Sequence, residues 1–207
     1  MRVRVKVCGL TRREDVLAAV AAGVDAIGLN FYPPSPRSIA PEMAEELLRD
    51  LPPFIDVVAV CVDPDAALLS RLRPIRRLRC LQWHGTPPLP REVEWPLIPA
   101  FRVRDAESLS AIRAYLDRCG GLMPEAILVD AHVAGLHGGT GQVAPWGLLA
   151  EIDFGVPLIL AGGLTPANVA EATRVVRPYS VDTASGVEVS PGVKDAEAMR
   201  QFVAVAR

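Results

Sequence analysis

Cys8 and Asp130 have side chains suited to proton transfer, and each closes an apolar run that reads as a strand, Val3 to Val7 before the cysteine and Ala126 to Val129 before the aspartate. A thiolate and a carboxylic acid facing each other across a small sugar are what an aldose–ketose isomerisation requires, one taking a proton from carbon and the other protonating oxygen. Lys6 stands two residues before Cys8 and therefore on the same strand face, pointing inward if Val3, Val5 and Val7 pack against helices. Its ammonium would then favour the thiolate. A cysteine taken by itself is more often inert filling, and that is the preferred reading of Cys61, Cys80 and Cys119.

Two glycine-bearing turns suggest a phosphate. Gly162-Gly163-Leu164-Thr165 and Ser185-Gly186 each follow a late strand, where free backbone N–H groups can approach an anion closely. The plainer alternative is that these glycines serve only tight turns. Arg37, in SPR, follows prolines that stiffen its loop and could aim a guanidinium fork at a carboxylate or phosphate, although most arginines are solvated surface. His84, His132 and His137 match no zinc spacing, so no metal is expected. Gly138 to Gly141 reads as a mobile lid or a bare turn.

These residues need elements to hold them. Strands are expected at Val3–Val7, Ala26–Phe31, Val57–Val62, Cys80–Gln82, Leu97–Arg102, Ala126–Asp130, Leu158–Ala161 and Ser180–Asp182. Helical segments fall between most of them. Thr11 to Glu14 reads as a capping box opening a helix that stops at Gly23, and a second helix runs from near Pro41 to near Leu51. Asp63-Pro64 and Thr165-Pro166 read as caps of two more, the latter reaching about Val176. Further helices are expected over about Ala106–Leu116 and from Asp195 to Val205.

Eight strand–helix units in 207 residues leave about 26 residues for each, enough for a short strand, a helix of three turns and two loops. The strands are mostly continuous apolar runs, as parallel strands covered by helices should be. The first strand leads into CGLTRRED, without a glycine-rich nucleotide turn, which argues against an open doubly wound sheet. The expected fold is a compact α/β (β/α)8 barrel, one catalytic domain over residues 1–207, with its site at the C-terminal ends of the strands.

Composition narrows the function. The chain is half hydrophobic and 22% charged, with 22 basic against 24 acidic residues, so it should fold and offers no basic footprint for nucleic acid or an anionic membrane. Only Lys6 and Lys194 among the basic residues are lysines. Four cysteines without CxxC spacing suit a reducing, cytoplasmic setting. The N-terminal MRVRVKVCGL lacks the apolar run of a secretory leader, and no stretch approaches the length of a membrane span.

KVCGLT at 6–11, SPR at 35–37, WHG at 83–85, Asp130 followed by HGGTGQ at 137–142, LAGGLTPANV at 160–169, SGVE at 185–188 and PGVKD at 191–195 occur in this order over nearly the whole chain. In this the sequence resembles the phosphoribosylanthranilate isomerase family of tryptophan biosynthesis. The resemblance implies a cofactor-free Amadori rearrangement of a phosphoribosyl-aminobenzoate into its ribulose form, the partner being that small phosphorylated substrate. It implies Asp130 as the general acid that opens the furanose ring and Cys8 as the base that takes the C2 proton. Arg37 matches the arginine that binds the anthranilate carboxylate, and backbone groups around Gly162, Gly163, Ser185 and Gly186 would hold the phosphate. His84 and Asp182 fall on active-site motifs with supporting roles. Thr183-Ala184 and Trp83 depart from the family pattern, which bears on fine positioning rather than on any functional group.

Sister barrels fit less well. A histidine-pathway isomerase is expected to carry aspartate where Cys8 stands. Indole-glycerol phosphate synthase needs a lysine–glutamate set at strand ends, and Lys194 reads as lying outside any strand. A regulatory barrel binding a phosphorylated ligand would need neither Cys8 nor Asp130, and a redox role for Cys8 lacks a nearby resolving cysteine. The sequence leaves monomer or homodimer open.

Overall fold

The structure, a computed structural model, describes residues 2–131, 146–150 and 152–207. The readings made for His132, His137 and Gly138 to Gly141 lie outside the described residues. Eight parallel strands close into a barrel in sequence order: β1 (Arg4–Cys8), β2 (Ala26–Asn30), β3 (Asp56–Val62), β4 (Leu78–His84), β5 (Leu97–Arg102), β6 (Ile127–Asp130), β7 (Leu158–Ala161) and β8 (Ser180–Thr183). β8 returns to pair with β1, so no edge is left open.

Alternation along each strand sorts side chains into two apolar sets. Val5, Val7, Ile27, Leu29, Val57, Ala59, Leu81, Val129 and Leu160 face outward and form the large cluster with the helices. Val58, Cys80, Ile98, Ala126, Leu128, Ile159 and Ala161 form a smaller cluster that fills the barrel interior. Each fully buried aliphatic side chain contributes roughly 1.5–3 kcal/mol. At the mouth the inward positions turn polar, with Lys6, Cys8, Gln82, His84, Asp130 and Asp182 continuing the interior columns.

The helices are α1 (Arg13–Ala22), α2 (Ala44–Leu47), α3 (Ala66–Leu72), α4 (Ala106–Cys119), α5 (Trp146–Ala150), α6 (Val169–Val176) and α7 (Ala196–Ala206). Asp65, Asp105 and Asp195 cap α3, α4 and α7 by accepting from backbone N–H groups of the first turn. Gly23 ends α1 in the left-handed conformation, as the sequence predicts.

Three local expectations fail, the first two because a distant partner takes the capping group. Thr11 does not cap α1; its hydroxyl donates to the Gly192 carbonyl 2.6 Å away. Asp63 is not the cap of α3, because its carboxylate accepts from Trp83 Nε1 and Thr86 N at 3.2 and 2.8 Å, joining the loops after β3 and β4. α6 starts only at Val169, and it is Asn168 whose side chain accepts from Thr165 N and donates to the Gly163 carbonyl. The segment expected as one helix from Pro41 is a 3-10 turn, Pro41–Met43, followed by the single-turn α2.

The sequence reading also missed a hairpin. Beyond β8, a 3-10 turn at Ser185–Val187 leads into β9 (Glu188–Ser190), which pairs antiparallel with β10 (Val193–Lys194). Lys194 therefore lies in a strand, contrary to expectation, although that strand is outside the barrel. The hairpin is latched to α1 by Lys194 N, which donates to the buried Asp15 carboxylate at 3.1 Å.

Candidate active site

Strand ends place the site. β1, β6 and β8 terminate at Cys8, Asp130 and Thr183, and β4 ends at His84, so the inward side chains of four strands converge at one mouth. A cavity of about 340 Å3 opens there. The nine residues to which the sequence assigns a catalytic or binding role line it: Cys8, Arg37, His84, Asp130, Gly162, Gly163, Asp182, Ser185 and Gly186. Asn30, Gln82, Leu164 and Thr183 complete much of its wall.

The floor carries a buried ion pair. Lys6 and Asp182 are register partners on β1 and β8, and Lys6 Nζ donates to Asp182 Oδ1 at 2.9 Å. Both side chains are almost inaccessible, at 3% and 8% exposure, so each charge depends on the other for compensation. Burial pulls the Lys6 ammonium toward neutrality, but Asp182 and Cys8 beside it hold its pKa above the ordinary lysine value. Gly28 leaves room for this arrangement, since a Cβ there would stand 2.9 Å from Cys8 Sγ and 3.1 Å from Lys6 Nζ.

The Cys8 thiol responds to opposing influences. Burial, the largest, pushes its pKa up; Lys6 opposes, Asp182 adds to the rise, and Lys194 opposes again. Lys6 thus acts in the direction its strand position suggests, yet the ligand-free thiol still titrates above its ordinary value. Burial and Lys6 push His84 down, against Asp182 and Asp130, so its imidazole is neutral near pH 7. Its Nε2 lies 2.8 Å from Gln82 Nε2, which fixes the ring if that nitrogen is the acceptor.

The rim after β7 and β8 is a single backbone unit. Gly162 and Gly163 have successive positive φ values of 99° and 66°. Thr183 Oγ1 donates to the Leu164 carbonyl at 2.8 Å, and a Cβ on Gly186 would lie 1.9 Å from that same oxygen. Only glycine allows the two loops to meet this closely.

Arg37 is not a solvated arginine. Its Nε and Nη2 donate to the two carboxylate oxygens of Glu188 at 2.8 and 2.6 Å. Lys194, the second lysine, is wholly buried and divides its three N–H groups among the Cys8 carbonyl, the Ala184 carbonyl and Glu188 Oε1. Glu188, Lys194 and Gln82 are the site residues that sequence reasoning missed. Strand alternation would have found Gln82, two residues before His84, and the scarcity of lysine was the available signal for Lys194.

A closed parallel barrel with a thiol, carboxylates and a glycine rim gathered at its C-terminal mouth defines an enzyme of the (β/α)8 class. Within that class the chain belongs to the N-(5'-phosphoribosyl)anthranilate (PRA) isomerase family, whose model matches residues 5–205. It is 44% identical over 204 residues to the N-(5'-phosphoribosyl)anthranilate isomerase of Trichlorobacter lovleyi, covering 97% of this chain and 96% of that one. The crystal structure of the Thermotoga maritima phosphoribosyl anthranilate isomerase superposes with a TM-score of 0.84 at 36% identity, covering 99% of this chain and 98% of that one. Another phosphoribosyl anthranilate isomerase, in complex with reduced 1-(o-carboxyphenylamino)-1-deoxyribulose 5-phosphate, has a TM-score of 0.82 at 34% identity, with coverage of 99% and 98%. The T. maritima enzyme is described as dimeric. Among the described residues no helix is long and apolar enough to cross a membrane.

Proposed function

We propose that the chain, acting as one barrel domain, converts N-(5'-phosphoribosyl)anthranilate into 1-(o-carboxyphenylamino)-1-deoxyribulose 5-phosphate. The single observation that supports this most is that an acid, a thiol, a guanidinium and a glycine rim line one cavity in a chain of this family. Asp130 delivers a proton to the furanose ring oxygen, the C1–O bond breaks and the anthranilate nitrogen takes up the positive charge as a Schiff base. Cys8 removes the C2 proton, the C2–H electron pair forms a C1=C2 double bond, and the C1=N pair returns to nitrogen, giving a neutral enolamine. Tautomerisation yields the C2 ketone, so C1 is reduced as C2 is oxidised and no external redox partner enters.

Around this chemistry the other residues bind and orient. Backbone N–H groups of Gly162, Gly163, Ser185 and Gly186 hold the phosphate, and Arg37 takes the aromatic carboxylate. His84 and Asp182 line the ribose portion, with Lys6 compensating Asp182. The two lysines near Cys8 favour its thiolate against the cost of burial.

The test is turnover of freshly generated phosphoribosylanthranilate, followed by loss of its fluorescence. Cys8→Ser and Asp130→Asn should each lower kcat by about 10²–10⁴-fold, with affinity for the reduced product analogue largely kept. Wild-type protein that binds the analogue yet shows no turnover refutes the assignment.

A further inference from the structure

A guanidinium carries five N–H groups in one plane, which form two usable carboxylate faces. Arg37 spends its side-on face, Nε and Nη2, on Glu188. The end-on face, one N–H of Nη1 and the second N–H of Nη2, finds no other acceptor among the described residues, and Arg37 lines the cavity. A second carboxylate can therefore bind in two parallel hydrogen bonds without displacing the first.

Glu188 is itself held in place. Its side chain is only 4% exposed, and Oε1 also accepts from Lys194 Nζ at 2.7 Å. Burial, the largest single influence, pushes the pKa of this carboxyl up, but the hydrogen bonds and positive charges of Arg37 and Lys194 together hold it below the ordinary value, so it is an anion at neutral pH. Lys194 Nζ in turn donates to the Cys8 carbonyl at 2.7 Å. One chain of charge-assisted bonds thus runs from the backbone of the thiol residue, through Lys194 and Glu188, to the fork in the loop after β2.

We propose that Glu188 is a positioning residue, which grips the side-on face of Arg37 so that the end-on face meets the aromatic carboxylate of the substrate, with Lys194 as the buried anchor that sets this clamp at a fixed distance from Cys8. The proposal rests on the assignment of that carboxylate to Arg37. A lone arginine in a loop samples many rotamers, and binding would have to select one; a fork already held in plane loses less on binding.

The experiment compares two probes: reduced 1-(o-carboxyphenylamino)-1-deoxyribulose 5-phosphate and its phenylamino counterpart lacking the carboxylate. Affinities are measured for wild type, Glu188→Gln, Arg37→Ala and the double variant. Glu188→Gln should lose about tenfold in affinity for the carboxylate probe and nothing for the other, with KM raised and kcat retained. The double variant should be no weaker than Arg37→Ala, because the two residues act as one. Equal losses for both probes, or a ratio of affinities unchanged in Glu188→Gln while it collapses in Arg37→Ala, would overturn the positioning role. A ratio unchanged in Arg37→Ala as well shows that the aromatic carboxylate lies elsewhere, which is a failure of the underlying assignment. Should Glu188→Gln not fold, Arg37→Lys serves: a lysine keeps the charge but cannot hold two carboxylates in one plane, and undiminished preference for the carboxylate probe refutes the clamp.

Discussion

Both lysines of this chain act on Cys8, from regions built on different principles. Lys6 is borne by a barrel strand, and its partner Asp182 is the residue opposite it in the register of the neighbouring strand. Lys194 sits on a hairpin outside the barrel and draws its partners from three segments remote from one another: the end of β1, the turn after β8 and the start of β9. Burial acts on both, yet Asp182 and Cys8 lift Lys6 above the ordinary lysine value, whereas Lys194 remains below it despite Glu188. A paired charge on a strand is tied to the closure of the fold; a paired charge on a hairpin is tied to the arrangement of the mouth.

This contrast is most sharply tested through stability. Lys6→Met leaves the buried Asp182 without Lys6 and should cost about 3–5 kcal/mol. Lys194→Met leaves Glu188 still paired with Arg37 and should cost about 1–3 kcal/mol, chiefly through the two carbonyls it deprives of a donor. Urea midpoints measure both, and a larger loss for Lys194→Met inverts the comparison.

A second test is chemical. Because burial outweighs both ammonium groups, alkylation of Cys8 should accelerate about tenfold per pH unit to beyond the ordinary thiol value of 9.0. Cys61 and Cys80, pushed up to about 12, should stay unreactive throughout. Rates followed by mass spectrometry decide the matter; a plateau below about pH 8 means that the lysines win.

The smallest expected effect separates His84 from Glu188 by pH. His84 titrates below 6.5 in the folded chain, so the unfolded chain binds more protons in that window; stability is complete above pH 6.5 and declines as pH falls through the folded value. The slope is at most about 1.4 kcal/mol per pH unit, and His84→Gln should remove it. Glu188 adds a separate decline below pH 4.5, lost as pH falls through its depressed folded value and absent in Glu188→Gln. Melting curves from pH 4 to 8 that are superimposable for wild type and His84→Gln contradict the buried neutral imidazole.

Much of the barrel was legible because strand signals are local. Apolar runs marked the eight strands to within a few residues, and alternation along Val5, Lys6, Val7 and Cys8 correctly turned the lysine and the thiol inward. Capping was less legible. Thr11 and Asp63 are each of a type that caps helices, but the Gly192 carbonyl and the Trp83 and Thr86 donors compete for them from far along the chain. The hairpin at Glu188 to Lys194 was not legible at all, since strands of three and two residues carry too little periodicity to register.

The sequence by itself determined the repeating unit, the inward face of each strand and the types of group that end at the mouth, because these follow from side-chain period and turn chemistry within a few residues. Tertiary structure alone decided which groups meet. Barrel closure set Lys6 against Asp182, the close approach at Gly186 joined the two rim loops, and the hairpin brought Glu188 to Arg37, 151 residues apart in the chain. Such contacts arise from register and closure, which are properties of the whole sheet and are not encoded in any one segment.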